Sequence, residues 1–197
     1  MDQDLRFTEH INLSLQRVYI NLKQLYQHRQ ILSKKNKKML CEAYVLSQVN
    51  HCDIVYGPCL RQADSTRIQR LQNSCLRFIH GIRKYDSISH TLKDTNWLNM
   101  YNRRYLHSVT LFFKILTLQT PPYLHEKLCF RTDVHNLNLR FKGMLTPPKH
   151  SLELFKRSFS YRIASTINKL PRPLLEKKSV KAFRCHLLKE IIKDQSR

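Results

Sequence analysis

Between Thr66 and Leu118 the chain carries two apolar runs at helical spacing, and they constrain the fold more than any other stretch. In the first, Ile68, Leu71, Cys75, Phe78, Ile79 and Ile82 share one helical face, while Arg67, Arg70 and Arg77 with Ser74 fall on the opposite one. A helix so patterned buries one side against a partner and leaves a cationic side outward. The second run, with Leu111, Phe112, Ile115 and Leu116 at the same spacing, follows Trp97, Leu98 and the pair Arg103-Arg104.

The flanking sequence obeys the same period. Ile11, Leu15, Val18, Leu22 and Leu25 alternate steps of four and three, which predicts a packed amphipathic helix with Thr8 as a weak cap. Ser33 predicts the N-cap of a helix reaching about Val49. Its first turns hold Lys34, Lys35, Lys37 and Lys38, where each cation opposes the macrodipole at a cost on the order of a few tenths of a kcal/mol. Two readings account for them: a phosphate contact, or a solvated helix start. Gly57-Pro58 breaks the chain, Gly81 has the place of a C-cap, and Lys84 to Asn96 reads as a short polar helix with loops.

Pro121-Pro122 closes a first helical unit over residues 5–120. Residues 121–150 form a linker in which LNLRFKGML leaves room for a short strand, and residues 151–194 a C-terminal helical segment. In that segment Phe159, Ile163, Thr166, Ile167 and Leu170 share a face of a helix starting near Ser158, and Ser179 caps a last helix with a Val180, Phe183, Leu187, Ile191 seam. The expected fold is mainly α: a helical bundle followed by a smaller, mostly helical unit with short strands at most.

Charge narrows the function. The net charge of +21 implies a polyanion partner, most directly RNA, DNA or a hybrid bound without sequence preference, with an acidic protein as the alternative. Twenty basic against six acidic residues follow position 100, so the stronger field lies in the C-terminal half. Candidate phosphate contacts are Lys34, Lys35, Lys37, Lys38, Arg67, Arg70, Arg77, Arg103, Arg104, Lys156, Arg157, Arg162 and Lys169. With no leader pattern and no run of about 20 apolar residues, the expected location is intracellular, nuclear or cytoplasmic, with no membrane partner.

The six cysteines lack the close pairs of a zinc site and read as reduced thiols. No metal, cofactor or catalytic constellation is expected. The eight aspartates include no adjacent pair, and three glycines are too few for a phosphate-cradling loop.

Several spaced motifs resemble one family. LQNSCLRFIHG, NWL, the RRY-led run ending KIL, KILTLQTPPYL, and KRSFSYRIASTINKLPRPL with Ile167 in place of a usual Trp are similar to the region beyond the polymerase core of reverse transcriptases in jockey-type non-LTR (LINE-like) retrotransposons. Leu5, Phe7, His10 and Ile11 resemble the entry to their thumb, while Tyr56-Gly57 stands where the family has Trp-Gly. The resemblance implies a thumb-like bundle that grips primer and template, followed by a segment holding RNA or target DNA. The family's catalytic aromatic-x-Asp-Asp motif stands upstream of this region, so the resemblance implies a non-catalytic module that works beside a reverse transcriptase core.

Overall fold

A computed structural model describes residues 6–134 and 144–195, and these are mainly helical. In chain order the helices are α1 (Thr8–Gln27), α2 (Lys34–Leu40), α3 (Ser47–Asn50), α4 (Asp53–Tyr56), α5 (Gln62–His80), α6 (Ser89–Asp94), α7 (Met100–Leu118), α8 (Pro122–His125), α9 (Arg131–Val134), α10 (Phe159–Ile167), α11 (Arg172–Leu175) and α12 (Val180–Gln195). A π-helical turn, Cys41–Leu46, joins α2 to α3, and the chain is helical without a break from Lys34 to Asn50. No described helix is long and apolar enough to cross a membrane.

The local signals act where expected, with one exception. Ser33 Oγ accepts from Asn36 N, Ser158 Oγ from Tyr161 N and Ser179 Oγ from Lys181 N, each supplying a partner for an orphan donor at a helix start. Gly81 ends α5 at φ 69, in the left-handed region that a residue without a Cβ enters at little cost. Thr8 is not a cap: α1 begins with it, and the preceding Phe7 takes the left-handed conformation with no side-chain hydrogen bond.

The chain forms two compact units, and the division is not at the prolines. One takes the chain up to Arg104 together with the segment from Ile192 on; the other runs from Tyr105 to Ile191. The boundary lies inside α7, because the prolines break the helix without ending the packing of its apolar face, where Phe112 is fully buried in the core of the second unit.

In the first unit Ile11, Leu15, Val18 and Leu22 of α1 and Ile68, Leu71, Cys75, Phe78 and Ile79 of α5 meet in one core with Val45, Leu46, Val49 and Trp97. Burying a side chain of this size contributes about 1.5–3 kcal/mol. The thiols of Cys41 and Cys75 meet inside it; that hydrogen bond, then burial, raises Cys75 well above the ordinary thiol range. All six cysteines are free, with Cys52, Cys129 and Cys185 exposed.

The core of the second unit gathers Phe112, Leu145, Ile163, Ala164 and Ile167, with Phe159 set edge-on to Phe112 at 5.7 Å. Phe113 stacks flat on Phe183 at 3.9 Å. Most of LNLRFKGML lies outside the described residues; what is seen is a single antiparallel bridge between Phe130 and Leu145.

Candidate nucleic-acid interface

Helices α1 and α5 lie side by side and run in the same direction. Arg67 Nη1 donates to Asn12 Oδ1 at 2.7 Å near their starts, and Tyr26 packs on Phe78 at 4.9 Å between ring centres near their ends. Along this seam a groove of about 680 Å³ is lined by Asn12, Tyr19, Ile20, Arg67 and Arg70 among others. Burial raises the Tyr19 phenol, and the charges of Arg67 and Arg70 pull it back down. Burial likewise raises Tyr26, with Arg77 and Arg29 acting against it.

The arginine face divides into two kinds of residue. Arg67 is half-buried and held by Asn12 and by Asp64, at 3.1 Å, so its charge is already matched. Arg70 is exposed, and neither it nor Arg77 has a carboxylate within ion-pair distance among the described residues. The Nε of Arg77 is buried without a hydrogen-bond partner, as is Nε2 of His80 one turn on.

The start of α2 comes to the same end of α5. Lys37 Nζ sits 5.5 Å over the Phe78 ring, and His80 is held below its ordinary pKa by burial and by the charge of Lys34. Lys34 and Lys35 are exposed. Lys38 differs from its neighbours: it turns inward and donates to the carbonyl of Thr95 at 2.8 Å, so it anchors a loop. Two segments singled out separately in the sequence, the lysine run and the arginine face, thus form one cationic surface around Arg29, Lys34, Lys37 and Arg77. Sequence reasoning passed over Tyr19 and Tyr26; their spacing of seven beside the apolar stripe of α1 was the available signal.

The chain matches no family model, no curated protein and no solved structure.

The other expected contacts lie in different settings. Arg104 corrects the expectation for the Arg103-Arg104 pair: it is 8% exposed, donates to Ser65 Oγ at 3.1 Å, and is held below its ordinary pKa by burial, with Tyr56 and Asp53 opposing. The reason is its place in the helix, since position 104 turns toward Tyr56 and Gly57 while Arg103 lies 5.9 Å over the Trp97 ring.

In the second unit Arg162 bridges to Ser108 Oγ at 3.3 Å and lies over Phe112 at 5.8 Å, which makes it largely a packing residue. Lys156 pairs with Glu153 in full solvent, and Arg157 and Lys169 are exposed.

Two uncharged motif residues have structural work. Trp97 is buried and donates to Glu42 Oε1 at 2.6 Å, and Asn168 grips both backbone polar groups of Leu145, at 3.0 and 2.8 Å. Among the described residues no three His, Cys, Asp or Glu side chains cluster as a metal site.

Proposed function

We propose that this chain is a non-catalytic nucleic-acid-binding module of the thumb and C-terminal kind implied by its resemblance to jockey-type reverse transcriptases. It grips RNA, DNA or a hybrid through phosphates, beside a polymerase core, without reading sequence. The observation that carries this reading is the convergence of Arg29, Lys34, Lys37 and Arg77 around the end of α5 on a chain of net charge +21. Cations without acidic partners bind phosphate by releasing counterions, a term indifferent to base identity.

The test is a salt titration of fluorescence anisotropy with labelled oligonucleotides of unrelated sequence. Equal affinities and a steep linear fall of log K with log salt are expected, and no binding at low salt would overturn the reading. A second reading, a basic protein docking an acidic partner or a separate polymerase core, draws on exposed Ile20, which lines the same groove, and on exposed Leu13 and Tyr44 elsewhere in the first unit. Saturable binding to such a protein in the absence of nucleic-acid binding would favour it.

A further inference from the structure

We infer that the groove between α1 and α5 takes a single nucleic-acid strand, its bases stacking on Tyr19 and Tyr26 and its phosphates meeting Arg70 and Arg77. The inference rests on the nucleic-acid-binding reading and adds which form of nucleic acid this face accepts.

Three observations carry it. The first is the pairing of ring and cation: Tyr19 and Arg70 line the groove together, and Tyr26 packs on Phe78, the residue that follows Arg77 on α5. Tyr19 and Tyr26 are 42% and 36% exposed, far more than core packing would leave, and Phe78 holds Tyr26 in the seam. An aromatic face flanked by a guanidinium is the element from which single-strand sites are built, because every base offers a π face and every step a phosphate.

The second is spacing. Tyr19 and Tyr26 are seven residues apart, as are Arg70 and Arg77, on helices that run in the same direction. At about 1.5 Å rise per residue each pair spans about 10.5 Å. A stacked strand advances about 3.4 Å per nucleotide, so three steps cover about the same distance. The two ring–cation pairs therefore fall in register with every third nucleotide.

The third is access. A duplex keeps its bases paired and stacked inside, so it can meet the arginines through its phosphates but cannot lay a base on either tyrosine. Arg67, tied to Asn12 and Asp64, closes the end of the groove and is not assigned a phosphate.

The experiment measures the affinity of the full chain for a labelled 12-nucleotide single strand and for the duplex of the same sequence, at matched salt. Single-strand binding should be at least about tenfold tighter, the equivalent of one base stacked. Tyr19→Leu and Tyr26→Leu should each weaken single-strand binding by roughly 5- to 150-fold, and leave the duplex affinity and the salt slope unchanged. Tyr19→Phe and Tyr26→Phe, which keep the ring, should bind like the parent.

Because Tyr26 also packs on Phe78, circular dichroism of each variant accompanies the titration. The single-strand to duplex ratio of the parent tests the inference without any variant. Equal or tighter binding of the duplex, or folded Leu variants with undiminished single-strand affinity, would overturn the stacking groove while leaving the phosphate-binding function intact. No binding to either form would remove both.

Discussion

The side-chain amide of Gln72 donates a 2.7 Å hydrogen bond to the carbonyl of Leu98, buried, 26 residues down the chain. Its own carbonyl accepts from Gln69 Nε2, and Gln69 Oε1 in turn accepts from Met100 N. Two glutamines on α5 thereby hold the loop that carries Trp97 and the start of α7. From the far end of the chain Gln195 adds to it, accepting from Asn99 N and Asn102 Nδ2 and donating to the Trp97 carbonyl.

Gln72→Ala should therefore cost about 1–3 kcal/mol, since it strips a buried carbonyl of its donor. Gln69→Ala in the same chain should add less than its single effect, as the two share one network. Urea denaturation of both singles and the double checks this, and strict additivity would contradict it.

Arg104→Ala should destabilise the first unit by about 1–3 kcal/mol through loss of its packing and its bond to Ser65. It should leave the salt slope of nucleic-acid binding untouched. Gly57→Ala acts on the same place, because an added Cβ would stand 3.2 Å from Arg104 Cδ against a side chain with little room to yield. A loss of slope in folded Arg104→Ala would return that residue to the binding surface.

Among the lysines, replacing Lys34 and Lys35 by Gln should raise helicity slightly by removing an unfavourable interaction with the macrodipole. Lys38→Gln should lower stability by about 1 kcal/mol, since it loses the bond to Thr95. Circular dichroism and thermal melts distinguish the two classes, and identical behaviour would refute the division.

Arg70→Ala with Arg77→Ala should reduce the slope of log K against log salt by about 1.4 on a single strand and about 1.8 on a duplex if each meets one phosphate. Arg67→Ala should change it little, because Asp64 already holds that charge. A larger effect from Arg67 would reverse the assignment.

Alkaline stability follows from the tyrosines. Burial is the first cause raising Tyr56, Tyr26 and Tyr19, and Tyr56 also donates its hydroxyl to the Val49 carbonyl. The unfolded chain loses these protons near the ordinary value of about 10 while the folded chain keeps them. The stabilisation is complete below that pH and is lost as pH rises toward the folded values. Melting temperature should fall above about pH 10, less steeply in Tyr56→Phe, and a parent protein indifferent to pH in that range would contradict this.

By itself the sequence determined the helices and their inner faces. The α5 stripe, the Ser33, Ser158 and Ser179 caps and the Gly81 stop are all local, set by a 3.6-residue period and by orphan backbone groups within one turn. Tertiary structure alone decided which cations stay available. Arg67, Arg70 and Arg77 are equivalent in a helical pattern, yet Asn12 and Asp64 claim the first and leave the others open. Lys38 is indistinguishable from Lys37 until Thr95 arrives from 57 residues away. Arg103 and Arg104 part because successive positions on a helix point about 100° apart, and only the packed neighbours say which direction is inward. Periodicity reports the direction of a side chain relative to its own helix, whereas a binding surface depends on what the rest of the chain places in front of it.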